Sequence, residues 1–268
     1  MEISDKTIVK FQRKVFTFYK KHKRRLPWRM TNDPYKILVS ELMLQQTQVS
    51  RVITYYNKWM KQWPTIDRLA TASHRDVLQA WMGLGYNTRA IRFQQAAQII
   101  IQKFQGDVIQ AMKHYEAIPG VGQYTSQAVL IFATNADLIT VDTNIRRIFI
   151  HEFNLPEIVS EKTIWELAQR CLPKGRSRNW HNALMDYGAL HLTAHKTGIP
   201  PKTKQPRFEG SDRQLRAHII RLLLQKDQRF AQMNKLLDIE SKRLQLILNK
   251  LISEGIISRK NGRYHLKE

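Results

Sequence analysis

Two carboxylates, Glu41 and Asp142, stand where their surroundings would give them different chemistry. In the stretch VSELMLQQTQV, read as a helix, Glu41 shares a mostly apolar stripe with Leu38 and Leu44. A carboxylate buried there is unfavourable unless it is paired, hydrogen-bonded or protonated. Glu41 is therefore either a core glutamate with satisfied hydrogen bonds or an acid whose raised pKa lets it hold a proton.

Asp142 follows an apolar run and opens the segment VDTNIRRIFIHEF. Aspartate is a favoured helix N-cap, so a structural role is one interpretation. A helix N-terminus also favours the ionised carboxylate, which would keep Asp142 anionic. One carboxyl group that holds a proton and one that stays charged can cleave a glycosidic bond. The first protonates the leaving group, and the second stabilises the positive sugar carbon or briefly bonds to it.

The stretch AIPGVGQYTSQAV carries a glycine-rich turn between two expected helices. Pro119 ends the first helix, while Gly120 and Gly122 allow a tight turn with positive φ or a close approach of the backbone to a ligand. The second helix then begins with N–H groups that attract an anion. The pattern indicates a helix–hairpin–helix phosphate clamp on DNA, with a simple tight turn as the alternative.

The composition favours a folded protein with a polyanionic partner. The chain has 268 residues, 43% of them hydrophobic, and a formal charge of +22. This length suits one large or two modest domains, and the charge points to nucleic acid. A basic peripheral membrane protein is the other option, but no long basic amphipathic stretch favours it.

Targeting signals and the number of cysteines indicate the cellular compartment. The beginning MEISDKTIVK lacks a signal-peptide core, and no run of about 18 apolar residues predicts a membrane span. The one cysteine, Cys171, excludes disulfides and cysteine-ligated clusters within one chain. We expect a cytoplasmic protein with no membrane contact, associated with the nucleoid if the source is prokaryotic.

Helical periodicity dominates the first 195 residues, and no alternating strand pattern interrupts it. Asp33 followed by Pro34, Asp142 and Ser160 are expected helix starts. The sequence predicts helices at roughly 5–22, 34–48, 51–62, 73–81, 88–104, 107–115, 123–134, 142–153, 160–171 and 178–194.

The composition changes after residue 195. Residues 196–211 contain three prolines and two glycines and read as a linker. Residues 212–268 predict a helix to about Gln225, a short helix near 233–237, a turn at Asp238, a helix over 240–254, and a hairpin turning at Asn261–Gly262. This is a winged-helix-like pattern. Its helix 240–254 could contact DNA, or the segment could be a folded appendage or dimer module.

Five runs in order carry a resemblance to a known family: PWRMTNDPYKILVSELMLQQTQV, VLQAWMGLGYNTRA, AIPGVGQYTSQAV, VDTNIRRI and NALMDYGALHLT. Over roughly residues 11–195 the chain closely resembles the helix–hairpin–helix DNA glycosylases, and within them the MutY-type adenine DNA glycosylases. The resemblance implies an all-α glycosylase domain, 1–195, with two helical subdomains and the active site between them.

The resemblance also implies residue roles. Glu41 would protonate adenine at its ring N7, and Asp142 would stabilise the oxocarbenium-like sugar or form a transient adduct. The implied supporting set is Asn144 and Tyr124 beside Asp142, Trp28, Arg29 and Leu44 in the base pocket, Gln46 and Tyr86 entering the base stack, and Gln45, Pro119, Gly120, Val121, Gly122, Gln123 and Thr125 among the DNA contacts. Extrusion of the base is required because the bond is unreachable inside a duplex.

Tyr124 bears on the reaction type. Bifunctional relatives of the endonuclease III type carry a lysine at this place, which forms a Schiff base with the sugar, whereas this chain reads GVGQYT. The resemblance thus implies a monofunctional glycosylase that leaves an abasic site, although a surface lysine such as Lys113 can still give weak nicking.

The chain departs from most relatives in its cofactor residues. Four cysteines that hold an iron–sulfur cluster usually follow MDYGA, but here the sequence is LHLTAHKTGIPPKTKQ, so we expect no cluster. His191 and His195 have a metal-compatible spacing, yet two helix-face histidines fit the sequence better than zinc. A monovalent cation at the hairpin 118–122 is the one ion the resemblance allows.

The second departure concerns the substrate. A winged-helix-like segment stands where MutY-type enzymes carry a β-rich domain that recognises 8-oxoguanine. The expected partner is double-stranded DNA with a mispaired or damaged base, bound by a monomer. Adenine is the favoured target, with thymine or uracil opposite guanine, another damaged purine, or lesion binding without catalysis as alternatives. The basic run KKHKRR, residues 20–25, is either a solvated helix end or a phosphate contact.

Overall fold

The structure is a computed structural model that describes residues 3–200 and 206–267. These residues form fifteen α-helices and three short strands, so the predicted all-α class is confirmed for the larger part of the chain. The helices are α1 Asp5–His22, α2 Pro34–Leu44, α3 Val49–Gln62, α4 Ile66–Ala70, α5 His74–Trp81, α6 Thr88–Phe104, α7 Val108–Lys113, α8 Gln123–Thr134, α9 Thr143–Glu152, α10 Glu161–Arg170, α11 Ser177–Leu190, α12 Ala194–Thr197, α13 Asp212–Gln225, α14 Phe230–Leu237 and α15 Ser241–Ser253. None of these described helices combines the length and the apolar character that crossing a bilayer requires.

The predicted helix starts are confirmed by their capping hydrogen bonds. Asp33 Oδ1 accepts from the N–H groups of Tyr35 at 2.9 Å and Lys36 at 3.3 Å, with Pro34 as the first residue of α2. Ser160 likewise caps α10 through its side-chain oxygen. Because these bonds involve residues two or three positions apart, local sequence is enough to predict them.

Two predicted helix ends were wrong. α2 ends at Leu44 and not near residue 48, because Gln46 has a φ of 56°, a left-handed conformation that cannot continue a helix. α11 ends at Leu190, four residues before the predicted end. Periodicity also missed α4, a helix of only five residues.

The protein folds as two units, and each draws on two separate stretches of the sequence. Unit 1 comprises Met1–Glu41 and Val121–Lys204. Its core joins α1, α9 and α11, where the ring of Phe11 lies 5.8 Å from Phe149, 5.0 Å from Phe153 and 5.6 Å from Trp180, measured between centroids. Edge-to-face packing of this kind adds to the free energy gained from burying aromatic surface.

Unit 2 comprises Leu42–Gly120 and Gln205–Glu268. Trp59 stacks on Phe93 with centroids 5.6 Å apart and meets Trp63 and Trp81 edge-on. The division of the chain also places the C-terminal segment, from Gln205 onward, in the same unit as residues 42–120.

The C-terminal module, residues 206–267, has a winged-helix-like arrangement. Helices α13, α14 and α15 pack with a three-stranded sheet of order β1–β3–β2, with β1 at Gln228–Arg229, β2 at Ile257–Lys260 and β3 at Arg263–Leu266. The predicted two-residue turn is confirmed: Lys260 pairs with Arg263, and Asn261 and Gly262 have φ values of 50° and 73°. The two-residue strand β1 was too short for a sequence pattern to reveal.

The domain limits 1–195, 196–211 and 212–268 stay a prediction. Residue 195 falls within α12, and the predicted linker contains residues 201–205, which lie outside the described residues.

Candidate active site

Glu41 lies near the end of α2 with only 7% of its surface exposed. Burial raises the pKa of this carboxyl to about 7, the negative charge of Asp142 adds to the shift, and the positive charge of Arg29 opposes it. The expected raised pKa is therefore confirmed, and near neutral pH a substantial fraction of Glu41 is protonated.

Asp142 is the N-cap of α9 and is only half-buried. Its Oδ1 accepts a 2.7 Å hydrogen bond from the backbone N–H of Ile145, and its Oδ2 accepts a 2.9 Å bond from Nδ2 of Asn144. A carboxylate offers about four lone-pair sites, so these two bonds leave room for further donors. Asp142 is thus held in place by two donors while part of its surface stays accessible.

Asn144 is itself fixed by Arg147, a residue that sequence reasoning left without a role. Arg147 Nη2 donates to Oδ1 of Asn144 at 2.6 Å, and Arg147 Nε donates to the carbonyl of Leu192 at 2.8 Å. Burial lowers the pKa of Arg147, and the charge of Asp142 opposes that shift. This chain of bonds orients the Asn144 amide so that its Nδ2 faces Asp142.

Gly188 on α11 allows the close approach that this arrangement needs. A Cβ atom built there would lie 3.2 Å from Cβ of Asn144 and 3.1 Å from Cδ1 of Ile148, tighter than ordinary side-chain contacts. A glycine within an otherwise helical pattern was the signal that could have drawn attention to it.

Tyr124 lies half-buried in the first turn of α8. Burial raises the pKa of its hydroxyl well above the usual value, and the charges of Glu41 and Asp142 raise it further. The phenol is therefore neutral at physiological pH and can donate a hydrogen bond but cannot act as an amine nucleophile.

A concave pocket of about 360 Å³ opens beside Asp142, within the usual size range of small-molecule sites. It is lined by Tyr124, Val141, Asp142, Thr143, Arg146 and Glu161. Arg146 donates to the carbonyl of Glu157 and pairs with Glu161 at 3.5 Å. The pocket therefore presents one cation and two carboxylates to a bound molecule.

Trp28 and Arg29 belong to the 3-10 turn Pro27–Arg29, and both side chains are largely buried. Arg29 donates to the two carboxylate oxygens of Asp186 at 2.8 and 3.0 Å, while Arg24 donates to the same group at 2.5 Å through Nε. Burial raises the pKa of Asp186, but the hydrogen bonds and charge of Arg29, together with the backbone and side-chain hydrogen bonds of Arg24, outweigh burial and lower it.

Asp186 was not singled out by sequence reasoning, although it lies in the run NALMDYGALHLT. Its pairing also answers part of the question raised by the basic run at residues 20–25. Arg24 in that run takes part in an ion pair with a fully buried carboxylate and is not a solvated helix end.

Gln46 and Tyr86 lie in two loops of unit 2 that Arg89 ties together. Both have left-handed backbone conformations, with φ values of 56° and 50°. The Arg89 guanidinium donates to the carbonyls of Gln45 at 2.6 Å and Gly85 at 3.0 Å, and it also bonds to Leu42, Leu84 and Thr47. Non-glycine residues in this conformation persist only where surrounding contacts hold them, and Arg89 supplies those contacts.

Leu44 and Gln45 are half-buried, while Gln46 and Tyr86 are exposed. Burial lowers the pKa of Arg89 to about 10, which leaves it charged at neutral pH. Arg89 is a further residue that sequence reasoning missed, since its partners lie up to 47 positions away in the chain.

The two glycines of the turn differ in backbone conformation: Gly120 has the positive φ that the sequence allows, whereas Gly122 is extended and leaves the close approach of a ligand as its predicted role. Gly120 has a φ of 78°, and a Cβ there would lie 3.2 Å from Cβ of Arg92. Gly122 has a φ of −103°, and apart from Gly122 and its two chain neighbours no described residue has an atom within 4 Å of the place a Cβ would occupy. The open space at Gly122 and the exposure of Gln123 suit the approach of a ligand to the beginning of α8.

The other predicted hairpin residues differ in exposure. Pro119 is half-buried, and Val121 is 7% exposed. Thr125 is 3% exposed, so it offers little surface for the predicted contact with DNA.

Of the two histidines with metal-compatible spacing, His191 packs beside aromatic rings. The His191 ring lies 5.5 Å from Phe18 and 5.0 Å from Tyr187, and its pKa is lowered by burial and by the charges of Lys14 and Lys196. In the described part of the chain, no three His, Cys, Asp or Glu side chains are grouped so as to hold a metal ion.

Comparison with known proteins places the chain among DNA repair proteins. Residues 39–174 match the model of the family described as HhH-GPD superfamily base excision DNA repair protein. The chain is 36% identical over 186 residues to an adenine DNA glycosylase of Buchnera aphidicola subsp. Baizongia pistaciae, covering 69% of this chain and 53% of that protein. It is 33% identical over 235 residues to an adenine DNA glycosylase of Mycobacterium tuberculosis, covering 78% and 77%.

A solved structure described as a thermostable thymine-DNA glycosylase is also similar. The TM-score is 0.67 at 29% sequence identity, and the match covers 74% of this chain and 91% of that one. The chain spans about half the length of the Buchnera relative, 53%.

Proposed function

This chain belongs to the HhH-GPD superfamily of base excision DNA repair proteins, and from that premise we propose that it is a monofunctional adenine DNA glycosylase. It binds duplex DNA, extrudes an adenine mispaired with 8-oxoguanine or guanine, and hydrolyses the N-glycosidic bond to leave an abasic site. One observation carries the proposal: the two carboxyl groups have different surroundings. Glu41 is buried with a pKa raised to about 7, whereas two hydrogen-bond donors hold Asp142 at a helix N-terminus.

In the proposed reaction Glu41 donates its proton to N7 of adenine, which makes the base a neutral leaving group. As the bond breaks, positive charge develops on the sugar, and the Asp142 carboxylate stabilises it or bonds to it transiently. Asn144 and Arg147 act through Asp142 by holding its orientation. Water then completes hydrolysis at the sugar carbon.

Tyr124 supports the monofunctional assignment. The resemblance puts Tyr124 at the position where bifunctional relatives carry a lysine, and a phenol cannot form a Schiff base, so strand cleavage by β-elimination is not part of the proposed reaction at this site. Weak nicking by a surface lysine such as Lys113 is compatible with the proposal.

The proposed partner is double-stranded DNA that contains a mispaired base, bound by a monomer in the cytoplasm. The formal charge of +22 suits a polyanion, and the exposed Gly122 and Gln123 at the beginning of α8 suit a phosphate. We propose that Trp28, Arg29 and Leu44 line the pocket for the extruded base. We also propose that Gln46 and Tyr86 enter the base stack of the DNA.

We further propose that the protein works without an iron–sulfur cluster, because the chain's one cysteine cannot supply four thiolates. A monovalent cation bound by backbone carbonyls of residues 118–122 is the proposed ion. Iron analysis of purified protein, and potassium dependence of DNA binding, test these two points separately.

The test is single-turnover cleavage of duplexes that each carry one lesion pair: adenine opposite 8-oxoguanine, adenine opposite guanine, thymine or uracil opposite guanine, and hypoxanthine opposite thymine. Each duplex is incubated with and without alkali beside Glu41→Gln, Asp142→Asn and the exposed control Glu166→Gln. We expect adenine release that alkali reveals, lost by about 10²–10⁴-fold in the Glu41 variant and kept in the control.

A second candidate, a thymine or uracil glycosylase acting opposite guanine, has support from the similarity to the thymine-DNA glycosylase structure. Release of thymine or uracil without adenine would replace the proposed target base and keep the two carboxylates in their roles. Tight binding to an abasic-site duplex without release of any base would indicate a lesion-binding protein instead.

A further inference from the structure

Four side chains from two distant parts of the sequence form an alternating column within unit 2. The Arg213 guanidinium lies 5.8 Å from the ring centroid of Phe208 and 5.5 Å from that of Tyr86. The Arg89 guanidinium lies 5.6 Å from the Tyr86 centroid. We call Phe208, Arg213, Tyr86 and Arg89 the aromatic–guanidinium column. Its first two members come from the C-terminal module.

Direct hydrogen bonds attach the C-terminal module to the loop of Tyr86. Arg213 Nη1 donates to the Tyr86 hydroxyl at 3.1 Å. Two residues further along the chain, Thr88 Oγ1 donates to Glu254 at 2.9 Å, and Arg216 pairs with the same carboxylate. Because both the Arg216 and Glu254 side chains are mostly buried, this attachment is better shielded from solvent than a surface ion pair.

A second group of bonds joins the module to the beginning of α5. Arg75 donates to the carbonyl of Leu224 at 2.6 Å, and Nδ1 of His74 lies 3.0 Å from the carbonyl of Lys267. The module is therefore attached at two places, the loop before α6 and the beginning of α5.

The aromatic members of the column are exposed but their backbones are held. Phe208 is 51% exposed and Tyr86 is 38% exposed. The carbonyl of Phe208 accepts hydrogen bonds from the backbone N–H and the hydroxyl of Ser211, which caps α13. Arg213 also donates to the carbonyl of Pro206 at 2.6 Å. Exposed aromatic rings on an ordered backbone bind a flat ligand with little loss of conformational entropy.

We propose that the aromatic–guanidinium column is a nucleobase-contact surface, so that the C-terminal module takes part in reading the DNA through Phe208 and Arg213. This inference rests on the proposed function for its ligand, a base of the bound DNA next to the extruded position. The module thereby contributes to the same surface as Tyr86 and is more than a separate DNA-binding appendage.

Physical chemistry favours a base as the occupant. Bases stack on aromatic rings and on planar guanidinium groups, and guanidinium groups over aromatic rings add cation–π attraction. The two arginines also supply positive charge for the adjoining phosphates. Aliphatic or acidic partners would not use both the flat faces and the charge of this column.

The test measures binding to a duplex with a non-hydrolysable abasic-site analogue, so that it needs no catalysis. A 2-aminopurine placed beside or opposite the analogue reports stacking through quenching of its fluorescence. The variants are Phe208→Ala, Phe208→Leu, Arg213→Ala and Arg213→Lys. Matched controls are Ile158→Ala, which removes an exposed apolar side chain elsewhere, and Arg221→Ala, which removes an exposed arginine on α13.

We expect Phe208→Ala to weaken binding by about fivefold to about 150-fold, the range found when a base loses an aromatic partner, and to abolish the quenching. Phe208→Leu keeps apolar bulk without a ring and should lose the quenching as well. Arg213→Lys keeps the positive charge but loses the planar guanidinium group. Any loss of quenching in this variant therefore reports the loss of the planar group, and we expect such a loss. Both controls should bind and quench like the wild type, and thermal unfolding checks that every variant folds.

The outcomes separate this inference from the proposed function. Base release by the wild type, with Phe208 and Arg213 variants that bind and quench like the controls, overturns the column and leaves the glycosylase intact. Quenching that depends on Phe208 in a protein that releases no base supports the column and removes the glycosylase proposal. A wild type that releases no base and binds the abasic-analogue duplex no more tightly than unmodified DNA overturns both.

Discussion

Different contacts hold the two carboxylates proposed for catalysis in unit 1 and the two loops of unit 2 that carry Gln46 and Tyr86. Glu41 lies within α2, where burial raises its pKa, and Asp142 caps the beginning of α9, where two hydrogen bonds hold it. Gln46 and Tyr86 sit in left-handed loop positions that the single Arg89 guanidinium holds. The proposed proton donation needs an acid with a raised pKa, which burial supplies at Glu41. The proposed insertion into a base stack needs a fixed backbone shape, which the hydrogen bonds of Arg89 supply.

The largest expected effect follows from breaking the charge network of unit 1. Asp186→Asn leaves Arg24 and Arg29 without their buried carboxylate, so the free energy of unfolding should fall by about 3–5 kcal/mol. Asp212→Asn is the control, because its pair with Arg243 is largely exposed and should matter by less than about 1 kcal/mol. Urea unfolding measures both, and equal effects would remove the contrast between buried and exposed pairs.

Glu41→Gln should change stability in a pH-dependent way. The pKa of Glu41 is raised from 4.5 to about 7 on folding, so its stabilising contribution is complete below pH 4.5 and is lost as pH rises to about 7. Each unit of pKa shift corresponds to about 1.4 kcal/mol, so the variant should gain about 3 kcal/mol on the wild type between about pH 4 and about pH 8. Unfolding free energies of both proteins that run parallel across this range would show that Glu41 is not a buried acid.

Arg89→Lys tests whether one guanidinium holds both loops of unit 2. Lysine keeps the charge but cannot bond to several carbonyls at once, so unfolding free energy should fall by about 2–3 kcal/mol and affinity for lesion DNA should fall with it. The base-release rate at saturating enzyme should change less, because the carboxylates are in the other unit. Arg68→Lys, an exposed change on α4, serves as the control. If Arg89→Lys lowered only the rate of base release and neither stability nor affinity, the proposal that Arg89 holds the two loops would be contradicted.

The rate of base release should report the pKa of Glu41. A general acid acts when protonated, so the single-turnover rate should be level below pH 7 and fall about tenfold per pH unit above a pKa of about 7. A rate that rises through this range would assign Glu41 the role of a base.

The smallest expected effect comes from filling the contact at Gly188. Gly188→Ala pushes against Asn144 and Ile148, which should lower stability by about 1–2 kcal/mol and, by displacing the Asp142 support, reduce the single-turnover rate by about tenfold. Ala189→Ser, an exposed change on the same helix, controls for altered helix propensity. An unchanged rate with lowered stability would make Gly188 a packing residue only.

Local features were predictable from the sequence wherever a few neighbouring residues decide them. The cap at Asp33, the cap at Asp142 and the turn at Asn261–Gly262 all depend on atoms within three residues, and all three are confirmed. The end of α2 was missed because the left-handed backbone at Gln46 depends on its loop being held by Arg89, whose bond to Gln45 spans 44 positions of the chain.

The candidate site divides in the same way. The two carboxylates and their helices could be identified from residue type, periodicity and family resemblance. Three residues that hold parts of the site could not: Arg147 holds Asn144 beside Asp142, Asp186 pairs with Arg29, and Arg89 holds the two loops of unit 2. Asp186 meets Arg29 across 157 positions, and Arg213 meets Tyr86 across 127. Pairings at such separations depend on how helices pack, and no local pattern encodes them.

The sequence by itself determined the helical class, the helix beginnings, the basic charge and the presence of two acids in different local settings, because periodicity, capping and composition are local properties. Only the tertiary structure decided how far the pKa of Glu41 rises, which cations hold Asp186, and that the C-terminal module meets Tyr86. Desolvation and long-range hydrogen bonding depend on what every other segment places around a group, and that is known only after the chain has folded.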